Sequence, residues 1–296
     1  MVNGSQQLKE KTVLLGKSKS LVGVITNPPE VEEQRPAIIL LNSGLLHRVG
    51  PNRLYVKIAR KLAAKGFVVL RFDLSGIGDS RMSNAVQNYD EQTAIIRDTQ
   101  DVMNYLSETK GIQQFILMGL CSGGSNAFQV ACHDDRVIGV NLIEGFAFPT
   151  SGYFAQSYSS SLLSLRSWWR LISGQSEIWR LIRGLVKFQT SKKVRQLTEN
   201  LHVPAKEKLI SGLHILVKRN VNLCFIYSAT GSAYYNYRKI FEEEIAKLPS
   251  TQKPGIEIIK ETDHLFTLIY HQEMLLNLIQ DWVSKLAQKQ KVAEPV

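Results

Sequence analysis

Residues 115–132 read FILMGLCSGGSNAFQVAC, and the fold turns on them. The apolar run 115–118 predicts a short strand buried on both faces, ended by Gly119. Residues 124–132 have the composition and spacing of a helix. Between them stands Gly119-Leu120-Cys121-Ser122-Gly123-Gly124. A strand that turns at once into a helix leaves room only for small residues on either side of its apex. The apex side chain is then held outward on a strained backbone. The first amides of the helix point at the same spot, where they stabilise a thiolate and later an oxyanion. The apex here is Cys121, which makes it the candidate nucleophile. The plainer alternative is a glycine-rich turn holding a buried cysteine.

Outward from this turn the chain alternates strand and helix signals. Residues 12–27 predict two short strands joined by a polar turn. Ala37–Leu41 is an unbroken apolar run, followed by the turn Asn42-Ser43-Gly44. Residues 52–65 carry helical spacing through Leu54, Ile58, Ala59 and Leu62, with Gly66 as the stop. A strand over 67–72 follows, closed by DLSGIGDS. Residues 91–109 predict a helix, 137–143 and 221–227 strands, 237–247 a helix, 256–259 a strand and 273–287 a closing helix. Repeated strand–helix–strand units predict an α/β fold. Its sheet is mostly parallel, with helices on both faces.

In open sheets of this kind chemistry gathers at the carboxyl ends of the strands. One such end carries Lys260-Glu261-Thr262-Asp263-His264-Leu265-Phe266. His264 therefore lies between the last strand and the last helix, where a histidine can take a proton from the thiol and later activate water. The order nucleophile, then histidine, is that of α/β hydrolases.

With NSGLLHRVGPNRLYVKIARKLAAKGFVVLRFDLSGIGDS, MGLCSGGSNAF and ETDHLF on one chain, the sequence resembles the α/β-hydrolase superfamily over nearly its whole length. It looks closest to the bacterial exosortase A-associated type, here with Cys at the nucleophile position. The resemblance implies a core of residues 1–150 and 221–296 with a helical cap inserted at 151–220. It implies acyl transfer to water or to another nucleophile, with no cofactor and no metal. It implies that the Ser122 backbone amide is one oxyanion donor, its side chain pointing away. The loop 42–45 would supply the second, from Gly44 or Leu45. Asp73 and Asp79 would hold a loop. His47 and Arg48 stand near the oxyanion loop, where they either touch an acyl or phosphate group or face solvent.

One feature departs from the superfamily. Many relatives place an aspartate just after the strand at 221–227; here the chain runs Tyr227-Ser228-Ala229-Thr230-Gly231-Ser232-Ala233 without a carboxylate. Glu144, at the end of the preceding core strand, is the candidate acid that holds the His264 tautomer. Asp263 and an acid-free Cys–His dyad are the alternatives. The missing aspartate and the Cys at the apex also motivate a different class, an inactive hydrolase-fold protein that binds or scaffolds.

Composition narrows the field. Among 296 residues, 44% are hydrophobic and 21% charged, which excludes a disordered or fibrous chain. No apolar run approaches the ~18 residues of a membrane span, and the first residues have no signal-peptide core. The three cysteines form neither a disulfide framework nor a metal motif, so a reducing, cytoplasmic setting is expected. Cys132 and Cys224 fall on a helix and a strand as core residues. The net charge is +10, and residues 151–220 alone carry nine more Lys and Arg than Glu, with no Asp. No nucleic-acid motif accompanies this excess. An acyl carrier protein or a CoA thioester is the expected anionic partner of the basic cap, steered by charge. Arg166, Arg170, Arg180 and Arg183 form two pairs at helical spacing. Tyr153, Phe154, Tyr158, Trp168, Trp169 and Trp179 would pack the cap onto the core or line an acyl pocket.

Overall fold

The computed structural model describes residues 8–30, 35–82, 89–145, 206–228 and 253–293. Eight strands form one sheet in the order β1-β2-β4-β3-β5-β6-β7-β8. They are β1 (Lys9–Leu15), β2 (Leu21–Asn27), β3 (Ala37–Leu41), β4 (Val69–Phe72), β5 (Phe115–Leu120), β6 (Val137–Ile143), β7 (Asn222–Ser228) and β8 (Gly255–Ile259). β1 pairs antiparallel with β2, and β2 with β4; every later pairing is parallel. The described helices are α1 (Leu54–Ala63), α2 (Glu91–Lys110), α3 (Ser122–His133), α4 (Lys206–Lys218) and α5 (Ile269–Ala293).

β3 shows why the sheet is covered on both sides. Ala37, Ile39 and Leu41 pack in one cluster with Val102 and Met103 of α2, Phe128 of α3 and Leu209 of α4. Ile38 and Leu40 pack in the other, with Ile58 of α1 and Ile279 of α5. Alternate side chains of a strand face opposite ways, so a strand apolar throughout must be buried on both faces. The chain runs from β3 outward to β4, then returns past β3 to β5. The strand order therefore reverses between β3 and β5, and the helices after these two strands lie on opposite faces. In open sheets of this kind the loops diverge at such a reversal, which here falls at the carboxyl ends of β3 and β5.

The structure moves several boundaries. β5 continues through Gly119 to Leu120, and α3 begins at Ser122, so Cys121 alone separates strand from helix. α1 starts at Leu54, because Asn52 and Arg53 adopt left-handed φ values of 50° and 60°. α5 begins at Ile269, four residues ahead of the apolar pattern. Within the basic block, α4 packs on α3 as part of the core layer. Leu209, Leu213 and Leu216 are buried there, and a Cβ at Gly212 would lie 2.5 Å from the Phe128 ring. Arg219 donates to the carbonyls of Ala131 and Asp134 at 2.5 and 2.8 Å, at the negative end of the α3 dipole. The remainder of the expected cap, with its aromatic residues and its paired arginines, lies outside the described residues, as does the helix expected at 237–247. Among the described residues no helix is long and apolar enough to cross a membrane.

Candidate active site

Cys121 sits at φ 57°, ψ −122°, a conformation that costs a non-glycine residue about 1–3 kcal/mol. The surroundings hold it there. Its amide donates to Ile143 of β6 at 2.8 Å, and its carbonyl accepts from the amides of Gly124 and Ser125 at 3.1 and 3.3 Å. The flanking glycines are a steric requirement. A Cβ on Gly119 would stand 2.2 Å from the Gly123 carbonyl carbon, and one on Gly123 would stand 2.5 Å from the Asn42 oxygen. Strand, helix and the loop after β3 touch backbone to backbone, and the apex is pushed outward.

β6 ends one residue before Glu144, whose φ of 52° turns the chain away from the sheet. Its amide still bonds the Ile226 carbonyl at 2.9 Å. The carboxylate is fully buried. One oxygen accepts from the Ser228 amide, and the other lies 3.2 Å from His264 Nδ1. The end of β7, where the sequence offers no acid, thus supplies a backbone donor that holds the acid from β6.

His264 is carried by a pinned loop. Phe266 is buried among Leu275 and Ile279, and its carbonyl accepts from Gln272 at 2.8 Å. Asp263 accepts from the amides of Leu265 and Thr267 at 2.8 and 3.1 Å, and from the Thr267 hydroxyl. Its carboxylate braces the loop, and the carboxylate facing the imidazole is Glu144. With Nδ1 on Glu144, the ring's other nitrogen is left for the thiol.

Thiol and imidazole perturb one another. The hydrogen bond to His264 is the largest influence on Cys121 and pulls its pKa down, against burial, which pushes it up; the Ser122 amide adds to the lowering. The same bond, then the one to Glu144, pushes His264 up to about 10. The two shifts run in opposite directions, Cys121 down and His264 up, and both favour a proton held on the imidazole beside the sulfur. At the other two cysteines burial is the dominant influence and is not outweighed, raising Cys132 to about 11 and Cys224 to about 12.

The expected oxyanion loop is present, but one of its donors is taken. Gly44 N–H donates to the Ser122 hydroxyl at 2.7 Å. The Ser122 side chain therefore faces the loop after β3 instead of pointing away, because Gly44 at φ 55° turns its amide toward the start of α3. Leu45 is almost fully exposed. Asp73 explains the shape of this loop. Its buried carboxylate accepts from the Arg48 amide at 2.5 Å, the Arg48 guanidinium at 2.5 Å, Asn42 at 3.2 Å and the Asp79 amide at 3.1 Å. Asp79 also pairs with Arg48 at 2.7 Å. Arg48 is thereby committed to two carboxylates rather than directed at an acyl or phosphate group. His47 is exposed, and its ring accepts from the Val49 amide at 3.3 Å.

A sequence profile of the α/β hydrolase fold matches residues 36–171. The sheet order, the left-handed apex and the strand-end histidine agree with it. The chain has the α/β-hydrolase fold. Solved structures of this fold align along nearly the whole chain at low identity. An esterase of Pyrococcus furiosus is 12% identical with a TM-score of 0.59, over 97% of this chain and 95% of that one. An α/β serine hydrolase homologue from Coxiella burnetii is 13% identical with a TM-score of 0.56, over 92% and 96%. A dienelactone hydrolase from Anabaena variabilis is 15% identical with a TM-score of 0.54, over 94% and 97%. At such identities the likeness is one of fold. No curated protein matches the chain in sequence.

Two contributors to this candidate site carry no signature in the sequence. The Ser228 amide acts through the backbone, which residue identity does not reveal. Tyr55 lies beneath the site on α1, fully buried, and only its place beside the apolar positions of that helix hints that it points inward. Among the described residues no group of three or more His, Cys, Asp or Glu could hold a metal ion.

Proposed function

We propose that this chain cleaves an acyl ester or thioester through an acyl-thioester intermediate on Cys121, as a thioesterase, esterase or acyltransferase. The observation that carries the reading is the continuous link from the strained Cys121 through His264 to the buried Glu144. A thiolate is intrinsically more nucleophilic than a serine hydroxyl. It attacks the carbonyl carbon, and the oxygen becomes an oxyanion held by the Ser122 amide and an amide of the Gly44–Leu45 turn. Collapse expels the alcohol or thiol, which takes its proton from His264. Neutral His264 then deprotonates water or an acceptor alcohol, which attacks the thioester and frees the cysteine. Glu144 holds the imidazole in register and stabilises its charged form.

Leu45 and Leu46 on the oxyanion loop, and Leu265 beside His264, are exposed large apolar residues. An apolar acyl group suits such surroundings. The basic excess of residues 151–220 supports a carrier-bound or CoA-bound acyl donor, and three free cysteines support a cytoplasmic setting. The test is intact-mass analysis after mixing with p-nitrophenyl acyl esters and acyl-CoA. The reading requires an acyl adduct that maps to Cys121 and is absent from Cys121→Ala. A protein that never acylates, while folded, is the inactive binding protein instead.

A further inference from the structure

The Tyr55 hydroxyl accepts from the Leu120 amide at 2.8 Å and donates to the Leu41 carbonyl at 2.8 Å. These are the last residues of β5 and β3. Leu120 immediately precedes the candidate nucleophile, and Leu41 immediately precedes the loop that carries the candidate oxyanion amides. The amides of Phe115, at the start of β5, and of Cys121, just past its end, go to Arg136 and Ile143, on the β6 side. Alternate amides of a strand point opposite ways, so that of Leu120 faces β3, where Leu41 pairs with Gly119. The phenol thus stands at the final rung of the β3–β5 ladder and straps its two sides together at the carboxyl ends of the strands.

The local chain is built to bring the ring there. Gly50 at φ 71°, then Asn52 and Arg53 in left-handed conformations, fold the chain tightly before α1. A Cβ on Gly50 would stand 2.8 Å from Tyr55 Cγ, so only glycine admits the ring at this place. The Tyr55 amide is tied back to the Val49 carbonyl at 3.1 Å. Tyr55 is buried, and both partners of its hydroxyl are main-chain groups of buried residues. Such a bond fixes position sharply, because breaking it leaves buried polar groups unpaired.

We infer that Tyr55 is a positioning residue that sets the distance between the Cys121 sulfur and the oxyanion loop. The inference rests on the acyl-enzyme reading. It separates two reactions of one sulfur. Alkylation by iodoacetamide needs the thiolate, which depends on His264. Acylation by p-nitrophenyl acetate also needs the oxyanion amides at the correct distance, and so needs Tyr55.

The experiment compares both rates at Cys121, by mass spectrometry across pH, in the wild-type chain and in Tyr55→Phe. The expected result is acylation at least tenfold slower in the variant. Its alkylation rate and pH profile should stay within twofold of wild type. In turnover, kcat should fall while KM holds. Acylation as fast as wild type overturns the inference, as does a parallel loss of both reactions, which would mark a merely structural tyrosine. Should Tyr55→Phe not fold, Gly50→Ala displaces the ring while keeping the hydroxyl, and the same split is required of it. A wild-type chain that alkylates yet never acylates sinks the acyl-enzyme reading, and this inference with it.

Discussion

Glu144→Gln tests the site at its most buried point. The substitution keeps the shape of the side chain and removes its charge. The Ser228 amide needs an acceptor, so the glutamine oxygen takes the place of the carboxylate oxygen there. The amide nitrogen then faces His264 Nδ1, 3.2 Å away in the native protein. Two donors cannot share that gap, so the neutral ring adopts the tautomer with its proton on the other nitrogen, facing Cys121. A histidine in that form cannot accept the thiol proton. The imidazolium also loses its partner, and the bond to Glu144 is the second largest influence raising His264. A triad acid exchanged for its amide elsewhere lowers kcat by about 10⁴, or about 5 kcal/mol. A loss of roughly 10³–10⁴ is expected here, since the carboxylate is fully buried and no water can replace it. The assay is steady-state release from an activated acyl ester, with the alkylation pH profile of Cys121 measured beside it. That profile should move to higher pH, because the lowering of the thiol depends on His264. A folded variant with less than a tenfold loss would refute the reasoning and leave a Cys–His dyad.

Other outcomes follow from the same geometry. At pH 7 iodoacetamide should label Cys121 well ahead of Cys132 and Cys224, whose thiols burial pushes up to about 11 and 12; peptide mapping decides, and equal labelling contradicts the thiolate. His264→Ala removes the main lowering influence on Cys121, so its alkylation midpoint should rise above that of wild type; an unmoved midpoint would mean that the histidine does not hold the proton. Ser122→Ala frees the Gly44 amide from a 2.7 Å bond, and acylation should quicken by roughly two- to tenfold, the worth of one net hydrogen bond. Slower acylation would show instead that the hydroxyl serves the reaction. Asp73→Ala strands Arg48 and unties the oxyanion loop. Denaturant unfolding should report a loss of about 3 kcal/mol or more, and a loss below 1 kcal/mol would contradict the loop-holding role.

The sequence by itself determined the layered fold and pointed to the two candidate reactive residues, for local reasons. Apolar runs such as Ala37–Leu41 announce strands buried on both faces, and glycines around Cys121 announce a turn in which backbones touch. Both signals lie within a few neighbouring residues, where sterics and periodicity act directly. Boundaries read less well where the backbone does something that composition does not encode. β5 runs through Gly119 because the parallel pairing of Leu41 with Gly119 and of Gly119 with Leu142 outweighs its weak strand preference. The late start of α1 follows from left-handed residues that are not glycine. What only the tertiary structure decided are the long-range choices. It brings Glu144 to His264 across 120 residues, and it assigns Asp263 to its own loop. It binds Arg48 to Asp73, turns the Ser122 hydroxyl onto Gly44, and sets Tyr55 across two strand ends. In each case several partners of suitable chemistry exist along the chain. The choice among them is made by which strand lies beside which, and by the cost of leaving a buried polar group without a partner.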